Sequence, residues 1–184
     1  PNEQAAGDME SLERMLSAGW RRVGSGHQIP AQQTAVSTAP SMDEIATDVS
    51  LSLADPHSGR SALRLQAWAA DSKKAPLAIE RPPLWVTSSN VPVRQGQLVQ
   101  IHGWVNVPRR LAASTDGLLI FDSLGGSDLG ERIRATQGWR EFTLYRAVPQ
   151  NGDLTVTFAL TGLGEASVDD LSVSILEAEP IRPR

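Results

Sequence analysis

The sequence contains no cysteine among its 184 residues. That absence removes disulfide staples, thiol nucleophiles and Cys-based zinc sites together. Positive charge is also scarce: 17 Lys and Arg stand against 21 Asp and Glu, for a formal net charge of -4. Without a basic stripe to meet phosphates, nucleic acid and anionic membrane surfaces are poor partners. No apolar run approaches the roughly 20 residues that a bilayer-crossing helix requires, so membrane insertion is not expected. Pro1-Asn2-Glu3-Gln4 opens the sequence without the basic and apolar regions of a secretory signal. Tyrosine is nearly absent too, with one Tyr and three Phe beside five Trp.

What is present is enough to fold. A hydrophobic content of 40% supplies a core, and the length suits one domain of ordinary size. The expected organisation is a single module over 1–178 followed by a tail or linker over 179–184. The Pro-rich tail Glu179-Pro180-Ile181-Arg182-Pro183 and the missing initiator Met predict a piece of a longer parent chain, whose neighbouring domains would be partners.

Met9, Leu12, Met15 and Leu16 fall at helical spacing, and Gly19 ends the run. They predict a short N-terminal helix over 8–18. Residues 21–47 are rich in Gly, Ser, Gln, Thr and Pro and read as a long loop or insert holding at most one irregular strand. Period-two alternation follows. Val49, Leu51 and Leu53 oppose Asp48, Ser50 and Ser52, and Leu63, Leu65 and Ala67 oppose Arg64, Gln66 and Trp68. Leu84–Thr87 is short. From Gly96, Val99, Ile101, Gly103, Val105 and Val107 oppose Gln100, His102, Trp104 and Asn106. Leu118–Phe121 is apolar on both sides and predicts a central strand. Trp139–Tyr145, Leu154–Leu160 and Val168–Ile175 complete about eight strands with no helices between them. That pattern argues against parallel βαβ units. It predicts an all-β, antiparallel β-sandwich in Greek-key or jelly-roll order, with a closed barrel as the alternative.

Several local patterns then line up in one order: Gly7-Asp8-Met9-Glu10 and Gly19-Trp20; Asp55-Pro56-His57-Ser58-Gly59-Arg60-Ser61-Ala62-Leu63; Val93–Val105 with Gly96 and Trp104; Gly138-Trp139-Arg140-Glu141-Phe142; and Val168-Asp169-Asp170-Leu171-Ser172-Val173. The sequence resembles the galactose-binding-domain-like jelly rolls, especially the carbohydrate-binding modules appended to bacterial glycoside hydrolases. The resemblance covers most of residues 7–176. It implies a sandwich fold, a glycan or polysaccharide partner, an exported, extracellular or cell-envelope location, and one structural calcium ion. Carried over, the calcium ligands fall on Glu10, Asp169 and the backbone at Ser58 and Arg60, with Asp170 as the alternative to Asp169. Calcium takes several oxygens from carboxylates and carbonyls, as these would be. Two aspartates that merely flank a turn, with Glu10 on a solvent-facing helix, are the plain alternative.

Aromatic residues among polar neighbours on one strand face form a natural sugar platform. The C–H face of a pyranose stacks on an indole while nearby polar groups bond the hydroxyls. By alternation Trp68 shares a face with Arg64 and Gln66, Trp104 with His102, and Tyr145 with Glu141. These give the candidate ligand residues Trp104, His102, Trp68, Arg64, Gln66 and Tyr145. Trp20, Trp85 and Trp139 sit near strand ends or turns and read as core or rim anchors. Against this, a Trp in a sandwich usually packs, in the core or under a loop.

Nothing marks a catalyst. Asp122, Asp128, Glu131 and Glu141 show no pairing of the kind a glycosidase needs. Glycines 125–126 and 162–164 build neither a phosphate loop nor a nucleophile elbow. His27, His57 and His102 lack metal-ligand spacing, and His57 is expected to cap a turn. The sequence thus points to a non-catalytic carbohydrate-binding module of a larger exported protein. A structural or protein-interaction sandwich without a sugar site is the alternative.

Overall fold

The computed structural model of the chain describes residues 2–5, 15, 19–24 and 45–176. In chain order the strands are β1 (Asn2–Ala5), β2 (Arg21–Gly24), β3 (Ile45–Ser52), β4 (Ala62–Ala69), β5 (Leu84–Thr87), β6 (Val91–Val93), β7 (Leu98–Asn106), β8 (Leu118–Asp122), β9 (Glu131–Ile133), β10 (Arg140–Ala147), β11 (Gly152–Leu154), β12 (Val156–Leu160) and β13 (Gly164–Leu176). Among the described residues a 3-10 turn at Ser72–Lys74 interrupts them.

Two antiparallel sheets face each other. The first has the order β10-β7-β13-β4-β3, with β1 paired to the second half of β13; the second has the order β2-β5-β12-β8-β9. A short ribbon, β6 with β11, joins the ends. From β3 onward the chain changes sheet between β4 and β5, β7 and β8, β9 and β10, and β12 and β13, and by way of β6 and β11 between β5 and β7 and between β10 and β12, giving the expected jelly-roll sandwich. The reason lies in the alternation. Leu63, Leu65, Val99, Ile101, Val105, Val168 and Val173 turn inward from the first sheet, and Leu84, Val86, Leu118, Ile120, Phe158 and Leu160 from the second. Phe142 of β10 meets Phe158 of β12 edge-to-face at 6.0 Å, welding one layer to the other. Each large apolar side chain buried this way contributes about 1.5–3 kcal/mol.

The N-terminal helix expected over 8–18 lies, apart from Met15, outside the described residues. Met15 is buried, and its carbonyl accepts from the Trp20 N–H at 3.0 Å around Gly19 at φ +99°. The loop expected over 21–47 gives up its ends to β2 and β3; 25–44 lies outside the described residues, as does the tail. Leu118–Phe121 is flanked on both sides, by β12 and β9, as its composition suggested. Its entry requires a glycine: Gly117 has φ +82°, and a Cβ there would stand 2.3 Å from the Ile133 carbonyl oxygen.

One buried ion pair ties the layers at the rim. Asp122, at the end of β8, accepts from Arg146 Nε of β10 at 2.8 Å and from the N–H groups of Leu124 and Gly125 at 3.0 and 2.8 Å. Arg146 also donates to the Leu129 carbonyl at 2.8 Å. The turn between β8 and β9 is therefore fixed to the first sheet.

Candidate functional site

Register places the outward side chains of the second sheet in rows. Trp85 pairs with Ala159, Ala159 with Leu119, and Leu119 with Arg132. The row runs Trp85-Ala159-Leu119-Arg132 across β5, β12, β8 and β9. The next row is Thr87-Thr157-Phe121. A methyl group between an indole and a leucine leaves a depression, because the neighbours are too tall to close over it. The result is an open cavity of about 430 Å³ with Trp85, Leu119, Phe121 and Ala159 on its floor. This explains why β8 is apolar on both faces: one faces the core and the other the cavity.

The cavity rim is polar and held in place. Arg132 Nε lies 3.4 Å from Asp116 Oδ2, and its terminal nitrogens donate to the carbonyls of Gly130 and Ser127 at 3.4 and 3.3 Å. The Ser114 and Thr161 hydroxyls are 2.6 Å apart, and Thr161 donates to the Gly117 carbonyl at 2.6 Å. Ser114 Oγ also accepts from the N–H groups of Asp116 and Gly117 at 3.2 and 3.0 Å. Glu80 and Thr115 complete the polar lining. An apolar floor under a fixed polar rim suits a ligand with one apolar and one hydroxyl-bearing surface.

The residues nominated from sequence lie on the other side. All six face outward from the first sheet, yet the structure does not bring them to one spot. Trp104 is half-buried beneath the turn between β3 and β4, where the His57 ring stacks on it at 3.9 Å and 15°. The Trp139 ring meets His57 edge-on at 5.8 Å, and its Nε1–H donates to the Asp55 carbonyl at 3.1 Å. His102 is 2.8 Å from Glu141. Tyr145, 56% exposed, accepts from Gln100 at 3.4 Å near one end of the sheet. Arg64 and Gln66 both donate to Glu165, beside Trp68 at 47% exposure. Trp20 is core and Trp139 is a rim anchor as expected; Trp85 is neither, since it lines the second-sheet cavity.

The Asp169-Asp170 pair sits at a bulge where the β13–β7 register shifts, with Asp170 at φ +50°. Asp169 Oδ2 accepts from the N–H groups of His57 and Ser58 at 2.9 and 3.2 Å, and Oδ1 from the Asp170 N–H at 2.9 Å. Burial pushes the Asp169 carboxyl up, against those N–H bonds. Burial acts on Asp170 in the same direction, but hydrogen bonds from the Ser58 hydroxyl and the His57 ring, both at 2.6 Å, with the charges of His57 and His102, outweigh it and hold Asp170 below the usual carboxylate range. His57 thus secures its turn through both its backbone and its ring. For calcium, the fit is incomplete. Both oxygens of Asp169 already face amides, no group of three acidic or histidine side chains suited to a metal occurs among the described residues, and Glu10 lies outside them.

No family model matches the chain, and no curated protein matches it. The solved structures similar to it are mostly carbohydrate-binding modules, the family that its sequence motifs resemble. TmCBM61 in complex with beta-1,4-galactotriose is 11% identical at a TM-score of 0.46, over 86% of this chain and 89% of that one. The CBM22-1 xylan-binding domain of Paenibacillus barcinonensis Xyn10C is 14% identical at 0.43, over 72% and 83%. The enzymatically active domain of bacteriophage CBA120 tailspike protein 4 is 9% identical at 0.49, over 73% of this chain and only 20% of its own. The functional reading therefore rests on the chain's own residues.

Proposed function

We propose that the protein is a non-catalytic module that holds a glycan in the second-sheet cavity. The observation that carries this reading is the row Trp85-Ala159-Leu119-Arg132. The C–H face of a sugar ring would lie on Trp85, Leu119 and Phe121, displacing water from apolar surface. Its hydroxyls would reach Arg132, Asp116, Ser114 and Thr161, which are already positioned by their mutual bonds, so little side-chain freedom is lost on binding. Within a larger exported parent, such a module would raise the effective concentration of an attached domain at its substrate. Asp116 and Glu80 both line the cavity, but Asp116 is engaged by Arg132 and both carboxylates are open to water, an arrangement that favours binding over hydrolysis. A structural calcium at Asp169 belongs to the same proposal if Glu10 completes its shell; it would raise the melting temperature on calcium addition and lower it on chelation.

Affinity electrophoresis through gels of neutral polysaccharides tests the reading. The native chain is retarded in at least one gel. Ala159→Leu, which fills the depression, and Trp85→Ala, which removes the indole beside it, migrate freely while melting cooperatively. A native chain retarded in none of a broad panel, or variants retarded as strongly as it is, would overturn the proposal. Release of reducing sugar on long incubation would overturn its non-catalytic part.

A further inference from the structure

A second cavity, of about 480 Å³, opens at the end of the first sheet. Trp68, on the outward face of β4, and Arg109 and Arg110, just after β7, line it. The loop carrying the arginines is pinned: Ala112 and Leu163 exchange backbone hydrogen bonds at 2.8 and 2.9 Å, and Pro108 restricts the backbone where the loop begins. Arg109 and Arg110 are exposed, and neither has a carboxylate partner among the described residues. The other charges nearby are accounted for. Glu165, which also lines the cavity, has its carboxylate bound by Arg64 and Gln66, and Asp48 stands across from Gln66 on β3, outside the cavity lining. An exposed indole and two unpaired guanidinium groups lining one cavity are complementary to a ring that carries an anion.

The geometry points to a second binding site here, for an acidic carbohydrate. The sugar ring stacks on Trp68, and its carboxylate or sulfate is gripped by Arg109 and Arg110, whose planar forks match such anions. The site does not share a residue with the second-sheet cavity and stands or falls separately from it. The chain's net charge of -4 opposes a polyanion, so retention by one must come from a local site and not from overall charge.

Affinity electrophoresis in gels containing a polyuronate or a sulfated galactan, beside a neutral galactan gel, provides the test. The native chain is slowed in at least one acidic gel, and added salt weakens the effect. The double variant Arg109→Gln/Arg110→Gln and the single variant Trp68→Ala each lose about tenfold or more in affinity, whereas Trp85→Ala stays slowed. Which acidic gel retards the chain decides between carboxylate and sulfate. Failure of both acidic gels to slow the native chain, equal slowing of the arginine variant, or loss of the effect in Trp85→Ala would overturn the site. Retention by neutral gels is unaffected by any of these outcomes, so it reports on the second-sheet cavity alone.

Discussion

The two outer faces of the sandwich are built from similar residue types and end in different states. On the first sheet, Trp104, His102 and Tyr145 each have a partner: the His57 ring, Glu141 and Gln100. On the second, Trp85 and Leu119 border a gap because the residue between them in their row is Ala159, with Phe121 beside it in the next row. What separates a binding surface from a finished one is then a missing side chain, more than the presence of aromatics. The Trp104 ring has one face covered by His57 and so offers less free apolar area than Trp85, and only free area yields binding energy when covered.

Removing the tie between the faces has the largest expected effect. Asp122 is fully buried and Arg146 nearly so, 13% exposed. Arg146→Ala leaves that carboxylate uncompensated and is expected to cost about 3–5 kcal/mol in denaturant unfolding. Sugar binding and fold would weaken together; an unchanged unfolding midpoint would refute the clamp.

Changing one tryptophan on each face separates binding from stability. Trp85→Ala should lower glycan affinity by about 2 kcal/mol, roughly thirty-fold, with little change in stability. Trp104→Ala should do the reverse, costing about 1–2 kcal/mol of stability by freeing the His57 turn while affinity changes less than about twofold. Titration calorimetry and denaturant melts on the two variants check the exchange of effects.

The smallest effect is a pH dependence confined to the first face. Asp170 is held below its ordinary value, so its stabilising contribution is complete above about pH 4 and is lost as pH falls through its depressed pKa. Asp169 is raised, so its contribution is present at lower pH and is lost as pH rises through its elevated pKa. Asp170→Asn should lower stability near neutrality and flatten the loss on acidification, measured as the denaturant midpoint at stepped pH. The same acid limb in both proteins would remove Asp170 from the account.

The fold was largely legible because alternation is a local signal. β4, β5 and β7 lie close to where the spacing puts them. β6, β9 and β11 escaped, since three residues carry no readable period, and β2 was hidden in loop-like composition. The site was legible only in part. Alternation tells which residues share a face, but a Trp facing water and a Trp under a loop produce the same pattern, as Trp104 and Trp68 illustrate. The cavity depends on Ala159 standing between Trp85 and Leu119, residues far apart in sequence that only strand register brings together. The one available hint was the double-sided apolarity of Leu118–Phe121, which fits a central strand equally well. Arg109 and Arg110 carried no signal of their own, because their meaning depends on Trp68 in the same cavity.

The five tryptophans provide five indole N–H signals in a nitrogen-15 spectrum, and their response to a neutral glycan that retards the chain tests the central claim most directly. The Trp85 indole is expected to move with saturating dose dependence while those of Trp104 and Trp68 stay in place. Movement of the Trp104 indole with Trp85 unchanged would put the sugar on the first sheet and contradict that claim.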